Sequence, residues 1–328
     1  MLAKLNIDRF LQLIVAVVIA AILFPAAGAT GSPLHIEYVA SYGISIVFFL
    51  YGLTLAPEKM RAGLVKWRVH IVVQLATFVL FPLVVLALIT TLRGRLPDEV
   101  LTGFFYLAAL PGTVSSSVAM TSLARGNVPV AIFNATLSAF LGVFLTPLLM
   151  AWYLNTTGAS LPLESVILKI VLLVLVPTAL GQVAHFWLKD WAARNNGWLK
   201  WCDKAVILAI VYNSFCDSIV EGVWSTHDAS LLAAMIVLTI ALFFVIYYLM
   251  KIPTRLLGFN REDTIACMFC SSKKSLATGV PLAKVIFGAT PALGLIIAPL
   301  MLFHFFQLVI VSVIANQYAA EADAKLKT

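Results

Sequence analysis

Two adjacent lysines, Lys273 and Lys274, stand among three serines, Ser271, Ser272 and Ser275, in the hexapeptide CSSKKS at 270–275. Those residue types at that spacing suit three kinds of chemistry. Paired ammonium groups hold an anion or stand in for a bound cation, a lysine carries a proton, and Ser271-x-x-Lys274 has the spacing of a nucleophile and its base. The flanks narrow the choice, because TIACMF at 264–269 and LATGVPLAKVIF at 276–287 read as one apolar span interrupted by charge. A lysine at bilayer depth costs about 3 kcal/mol even on the cheapest insertion scale, and one that is kept there is paired, faces a cavity or is functional. Adjacent helical residues point about 100° apart, so no single sheltered face takes both ammonium groups. A helix that unwinds here and lines a polar cavity with irregular backbone meets both constraints.

A second polar cluster lies far upstream, in PGTVSSSVAM at 111–120. Pro111 removes a backbone donor and crowds the preceding turn, Gly112 tolerates the resulting dihedrals, and Ser115, Ser116 and Ser117 offer hydroxyls to the freed groups. Other polar residues inside apolar stretches are Gln74, Asn134, Thr136, Asp217, His304 and Gln307. His304 and Gln307, three apart, share one helical face. If the lysines are structural, Asp217 or Glu262 is the expected ion-pair partner. Without such a pair, Lys274 acts as a tethered cation or a proton carrier. Cys267 and Cys270 have CxxC spacing but no second ligand pair, so they read as small packing residues and no metal site or cofactor is expected beyond a coupling Na+ or H+.

The elements that must position these clusters follow from composition. Hydrophobic residues make up 62% of the 328 and charged ones 11%, which describes a polytopic membrane protein. The net charge of +7 resides in short basic clusters between apolar runs, with no nucleic-acid motif beside them, so lipid and not nucleic acid is the expected partner. Runs of roughly 20 apolar residues, enough to cross about 30 Å of hydrocarbon, predict an all-α chain of ten transmembrane helices at 10–28, 36–56, 69–92, 100–123, 128–153, 163–187, 204–223, 229–251, 262–287 and 291–316. Sixteen of the 22 lysines and arginines fall on one side of that arrangement, which places both termini in the cytoplasm. The first run imitates a cleavable signal, with Lys4 and Arg9 before it and small residues after it. It is kept as a span because the chain repeats. The polar segments of spans four and nine correspond, and TPLLM at 146–150 in span five echoes APLML at 298–302 in span ten. Two inverted five-helix repeats, 1–158 and 159–328, follow, with breaks at matching places, the best sequence pointer to a transporter site.

With those segments in view, PGTVSSSVAMTSLARGN at 111–127 resembles the bile acid:sodium symporter family. VYNSFCDS at 211–218 and FCSSKKSLATGVPLAKVIF at 269–287 resemble its SBF-like branch specifically. The resemblance implies a panel domain of spans 1, 2, 6 and 7 beside a core domain of spans 3–5 and 8–10. Spans four and nine would cross at their breaks, with substrate beside the crossover. Sodium-binding members carry a serine-asparagine pair in span four, where Ser116 and Ser117 stand here. They carry a glutamate and a glutamine in span nine, where Met268 and Ser272 stand here, followed by the two lysines. A fixed ammonium repels the ion that it replaces, so sodium coupling is not expected to carry over. The expected function is a secondary active transporter of a small organic anion, not an enzyme. Its site draws on Ser115, Ser116, Ser117, Asn134, Thr136, Asp217, Ser271, Ser272, Lys273, Lys274, His304 and Gln307. A channel and a Ser-Lys intramembrane hydrolase are the alternatives. The hydrolase lacks Ser-Asp-Asn, Lys-Thr-Gly and a soluble domain to hold them.

Overall fold

A computed structural model describes residues 9–54, 66–157, 168–169, 171–222, 224–225, 228–288 and 290–325. The ends of the second, sixth and seventh expected spans, at 55–56, 163–167 and 223, and the boundary expected between repeats lie outside the described residues. Besides the single helical turn Pro25–Gly28, twelve helices are described, and no strand is. They are α1 Arg9–Leu23, α2 Ile36–Thr54, α3 Trp67–Leu92, α4 Asp98–Ala109, α5 Ser115–Leu123 and α6 Val128–Thr156, then α7 Val171–Arg194, α8 Asn196–Val220, α9 Ala229–Leu256, α10 Arg261–Ser271, α11 Leu276–Phe287 and α12 Leu293–Lys325. Among these, α2, α3, α6, α7, α9 and α12 are long and apolar enough to cross a membrane. Hydrocarbon offers backbone groups no partners, and a helix satisfies them within its own segment.

Each boundary near the centre of the molecule has a local cause. At the end of α4, Leu110 is extended, with ψ 153°. It precedes Pro111, whose ring disfavours helical dihedrals in the residue before it. α6 starts on Asn127, whose side-chain oxygen accepts from Val130 N at 3.2 Å, and α10 starts on Asn260, which accepts from Asp263 N at 2.8 Å. α11 starts on Ser275, whose hydroxyl oxygen accepts from Thr278 N at 3.3 Å. That cap leaves residues 272–275 outside both α10 and α11. In α3 the turn Ala76–Leu80 is a π-helix, in which Phe81 N–H reaches back to Ala76 O.

Helices α2 and α7 pack closely because Gly52 and Gly181 face each other's backbone. A Cβ on Gly52 would strike Thr178 O, and one on Gly181 would strike Phe49 O. The starts of α3, α6 and α10 are pinned together on buried Asp263. Its carboxylate accepts from Lys66 Nζ at 2.7 Å and from Asn127 Nδ2 at 2.7 Å.

Candidate functional site

The two unwound segments meet, and the carbonyls freed by the end of α4 can be followed one by one. Leu107 O would bond the N–H of residue 111, which is proline, and accepts from Leu110 N instead. Ala109 O accepts from the Thr146 hydroxyl at 2.8 Å. Pro111 O accepts from Ser275 N, in the other break, at 2.9 Å. Ala108 O and Leu110 O accept from Lys274 Nζ at 2.6 and 2.7 Å. Gly112 N–H, the donor that an unbroken helix would have given Ala108, turns to Ser138 Oγ at 3.0 Å. Buried backbone groups are almost always paired, and this set is paired by side chains and by the other break.

The third bond of Lys274 Nζ goes to Thr77 O at 2.9 Å, and α3 explains why that carbonyl is free. Within the π-turn Phe81 N–H has gone to Ala76. The next residue, Pro82, has no N–H to give Thr77. The ammonium therefore uses its three protons on three carbonyls. It also sits 4.2 Å from the centroid of the Phe81 ring. Its position at the C-terminal end of α4 adds the negative pole of that helix. The side chain is fully buried. Its backbone is held as tightly, for Gln307 Oε1 accepts from Lys274 N at 2.8 Å and Gln307 Nε2 donates to Lys274 O at 2.9 Å. The same amide donates to His304 Nδ1 at 2.7 Å. The pair on α12 thus braces the break.

Lys273 is the contrast. It too is fully buried, yet its Nζ has no hydrogen-bond partner among the described residues. Its nearest aromatic is the Phe269 ring, 5.8 Å away. Neither lysine is ion-paired among the described residues, to Asp217, Glu262 or any other carboxylate. Asp217 is engaged elsewhere, accepting from Thr30 N at 2.6 Å and Thr30 Oγ1 at 2.9 Å. The expectation that Asp217 partners a central lysine is therefore corrected: its carboxylate holds the turn after α1.

The remaining expected residues divide. Thr113 Oγ1 shares hydrogen bonds with Ser116 Oγ at 2.7 Å and Ser117 Oγ at 3.0 Å, and Ser117 Oγ donates to Phe269 O across the crossover at 3.4 Å. Ser115 is exposed and Ser116 half-buried. Ser271 and Ser272 turn back onto their own helix, to Cys267 O at 2.7 Å and Met268 O at 2.7 Å. Ser271 and Lys274 do not meet, so no nucleophile and base are assembled. Asn134 Nδ2 donates to Val130 O at 3.0 Å, and Gln74 Nε2 to Asn134 O at 3.3 Å. Thr136 is buried in α6 and takes no part in the contacts of either lysine.

A second polar seam joins α8 to α11 and α12. Lys284 Nζ donates to Asn213 Oδ1 at 3.1 Å, and Asn213 Nδ2 donates to Gly28 O at 3.0 Å. Ser218 Oγ donates to Pro291 O and accepts from Gly294 N at 3.1 Å.

Comparison with known proteins supplies the context for this geometry. The profile of the SBF-like CPA transporter family matches residues 8–320. The chain is 43% identical over 319 residues to an uncharacterized protein of Pseudomonas aeruginosa, covering 96% of this chain and 94% of that one. It is 36% identical to the protein YfeH of Escherichia coli, covering 97% and 94%. It is 32% identical to Sodium/bile acid cotransporter 7 of Danio rerio, covering 100% and 98%.

Proposed function

The chain belongs to the SBF-like CPA transporter family and is an integral membrane protein, and on that premise we propose that it is a secondary active transporter of a small organic anion, working by alternating access without sodium. In this reading α4 with α5 forms one broken span and α10 with α11 another, giving ten spans in two inverted repeats with both termini in the cytoplasm. A panel of α1, α2, α7 and α8 moves against a core of the remaining helices, and substrate binds where the two breaks meet.

The observation that carries the proposal is the unequal state of the two lysines. Half-helix C-termini and unwound carbonyls are where coupling cations sit in transporters built from broken helices. Here two carbonyls at such a place, Ala108 O and Leu110 O, converge on Lys274 Nζ with a third, Thr77 O, freed by the π-turn of α3. The ammonium supplies the charge that a sodium ion would, and the polypeptide carries it permanently. Lys273, buried with no partner among the described residues, is the spare charge. It holds the anion once substrate enters, beside the positive N-terminal ends of α5 and α11. The zebrafish relative has sodium in its name, and the coupling proposed for this chain departs from that name. Counterflow tests the transport itself. Proteoliposomes preloaded with a suitable organic anion should take up labelled anion in a saturable way and faster than empty vesicles. Unitary currents in a planar bilayer would instead mark a channel.

The seam of Asn213, Ser218 and Lys284 supports the alternating-access part. It joins proposed panel to proposed core on the outer side and has to part when the site opens outward. Asn213→Leu removes the bond from Lys284, the one contact of that amide that crosses from proposed core to proposed panel, and a hydrogen bond to a charged group is worth about 1.5 kcal/mol net or more. The expected outcome is a roughly tenfold faster reaction of a cysteine placed in the seam, Ser214→Cys, which is buried beside Gly294, in a Cys216→Ala background, with a membrane-impermeant maleimide applied from outside, one factor of ten per 1.4 kcal/mol. An unchanged rate would mean that the seam does not close the outer side.

A further inference from the structure

A groove of about 540 Å³ runs between α9 and α12, with Phe244 and Tyr248 on one wall and Val313, Ile314 and Tyr318 on the other. A second hollow, of about 280 Å³, continues from it past Arg255. Lys251 and Tyr318 line both. The walls change character along the helices. Val313 and Tyr248, 49% and 57% exposed, lie where hydrocarbon would reach them. The Tyr247 and Tyr318 hydroxyls meet one turn further along, at 3.2 Å. Tyrosines collect at the level where hydrocarbon gives way to headgroups. Lys251 and Arg255 follow at successive turns of the same face of α9.

The cations are available. Lys251 Nζ sits 4.7 Å from the Tyr248 ring centroid and 5.5 Å from that of Tyr247. Neither Lys251 nor Arg255 is in an ion pair among the described residues, although the carboxylate of Glu321 lines the same groove. Two cations against one carboxylate leave the mouth positive, above walls that only an apolar chain matches.

We propose that this groove binds one anionic phospholipid, with its phosphate between Lys251 and Arg255 and an acyl chain along Val313 and Ile314. Any lipid-facing groove fills with acyl chains in a bilayer. The charge at headgroup level is what makes this one select among lipids, because a cation near an anionic lipid surface is worth about 1 kcal/mol. The site is separate from the crossover and stands whether or not the anion-transport reading holds. The lipid would brace α12, the helix that carries His304 and Gln307.

The test is native mass spectrometry of delipidated full-length protein with phosphatidylglycerol, phosphatidylethanolamine of the same acyl chains, and glycerol 1-phosphate. Wild type should retain one phosphatidylglycerol in preference to phosphatidylethanolamine and should not retain the chain-free headgroup. Lys251→Ala with Arg255→Ala should weaken retention of phosphatidylglycerol roughly thirtyfold, about fivefold for each cation, and leave phosphatidylethanolamine unchanged. Val313→Trp, at an exposed position that tolerates bulk, should block retention by filling the groove while both cations remain. Equal retention of the two lipids by wild type, or phosphatidylglycerol binding that survives both variants, would overturn the site. Retention of glycerol 1-phosphate alone would identify an anion site that is not a lipid site.

Discussion

Replacing Lys274 with methionine should destabilise the protein by roughly 3 kcal/mol, although methionine is the residue that a membrane interior would prefer. The substitution leaves Thr77 O, Ala108 O and Leu110 O without the donor that each has now. A buried acceptor left unsatisfied costs about 1–3 kcal/mol, and relief from burying the ammonium offsets only part of the three. Thr77 O and Ala108 O have no second choice. Pro82 has no N–H for Thr77, and Gly112 N–H is committed to Ser138. At about 2 °C per kcal/mol for a chain of this size, the melting temperature in detergent should fall by about 6 °C. A melting temperature that holds or rises would show that the three bonds contribute nothing net.

The neighbouring substitution should do the opposite to stability and more to function. Lys273→Met removes a buried ammonium that has no hydrogen bond among the described residues. Exchanging a buried charge for a well-packed apolar group of similar volume stabilises by about 1–4 kcal/mol. The melting temperature should therefore rise by a few degrees. Anion uptake by proteoliposomes should fall at least roughly thirtyfold, because the charge that the substrate meets is gone, and losing one member of a buried charge contact costs about 2–5 kcal/mol. A variant both more stable and inactive marks a residue kept for work and not for the fold. Unaltered uptake would remove Lys273 from the site.

Much of this was legible in the residues. Charge in CSSKKS required a break, and the cap on Ser275 is a local signal that places α11's start after the lysines. Pro111 with extended Leu110 ends α4. The long apolar runs gave α6 and α9 their starts, whereas hydropathy stopped short of their true ends. α9 continues to Leu256 and α12 to Lys325, because a helix needs no lipid to go on into water.

The partners were not legible. The structural alternative for the lysines was an ion pair with Asp217 or Glu262, since carboxylates are the acceptors that a sequence displays as opposite charge. Backbone carbonyls carry no letter. Which of them a proline will orphan, and which lysine will reach them, depends on α3 and α4 meeting in space. Strict accounting of N–H groups around Pro82 and Pro111 would have marked Phe78 and Leu107, each four residues back, as short of donors, and the π-turn moves the shortage before Pro82 to Thr77. Such accounting would not have named Lys274. Asn134, Ser271 and Ser272 looked like cavity residues for the same reason. A hydroxyl or amide inside an apolar run often satisfies itself on the preceding turn, and these three do.

The most direct test of the central claim, that a tethered ammonium has taken the place of a coupling sodium ion, is the initial rate of anion uptake by wild-type proteoliposomes in sodium and in an impermeant organic cation at equal ionic strength. A sodium-replacing Lys274 predicts the same rate in both media, at every anion concentration. Uptake that vanishes without sodium and recovers along a saturable sodium curve would contradict it.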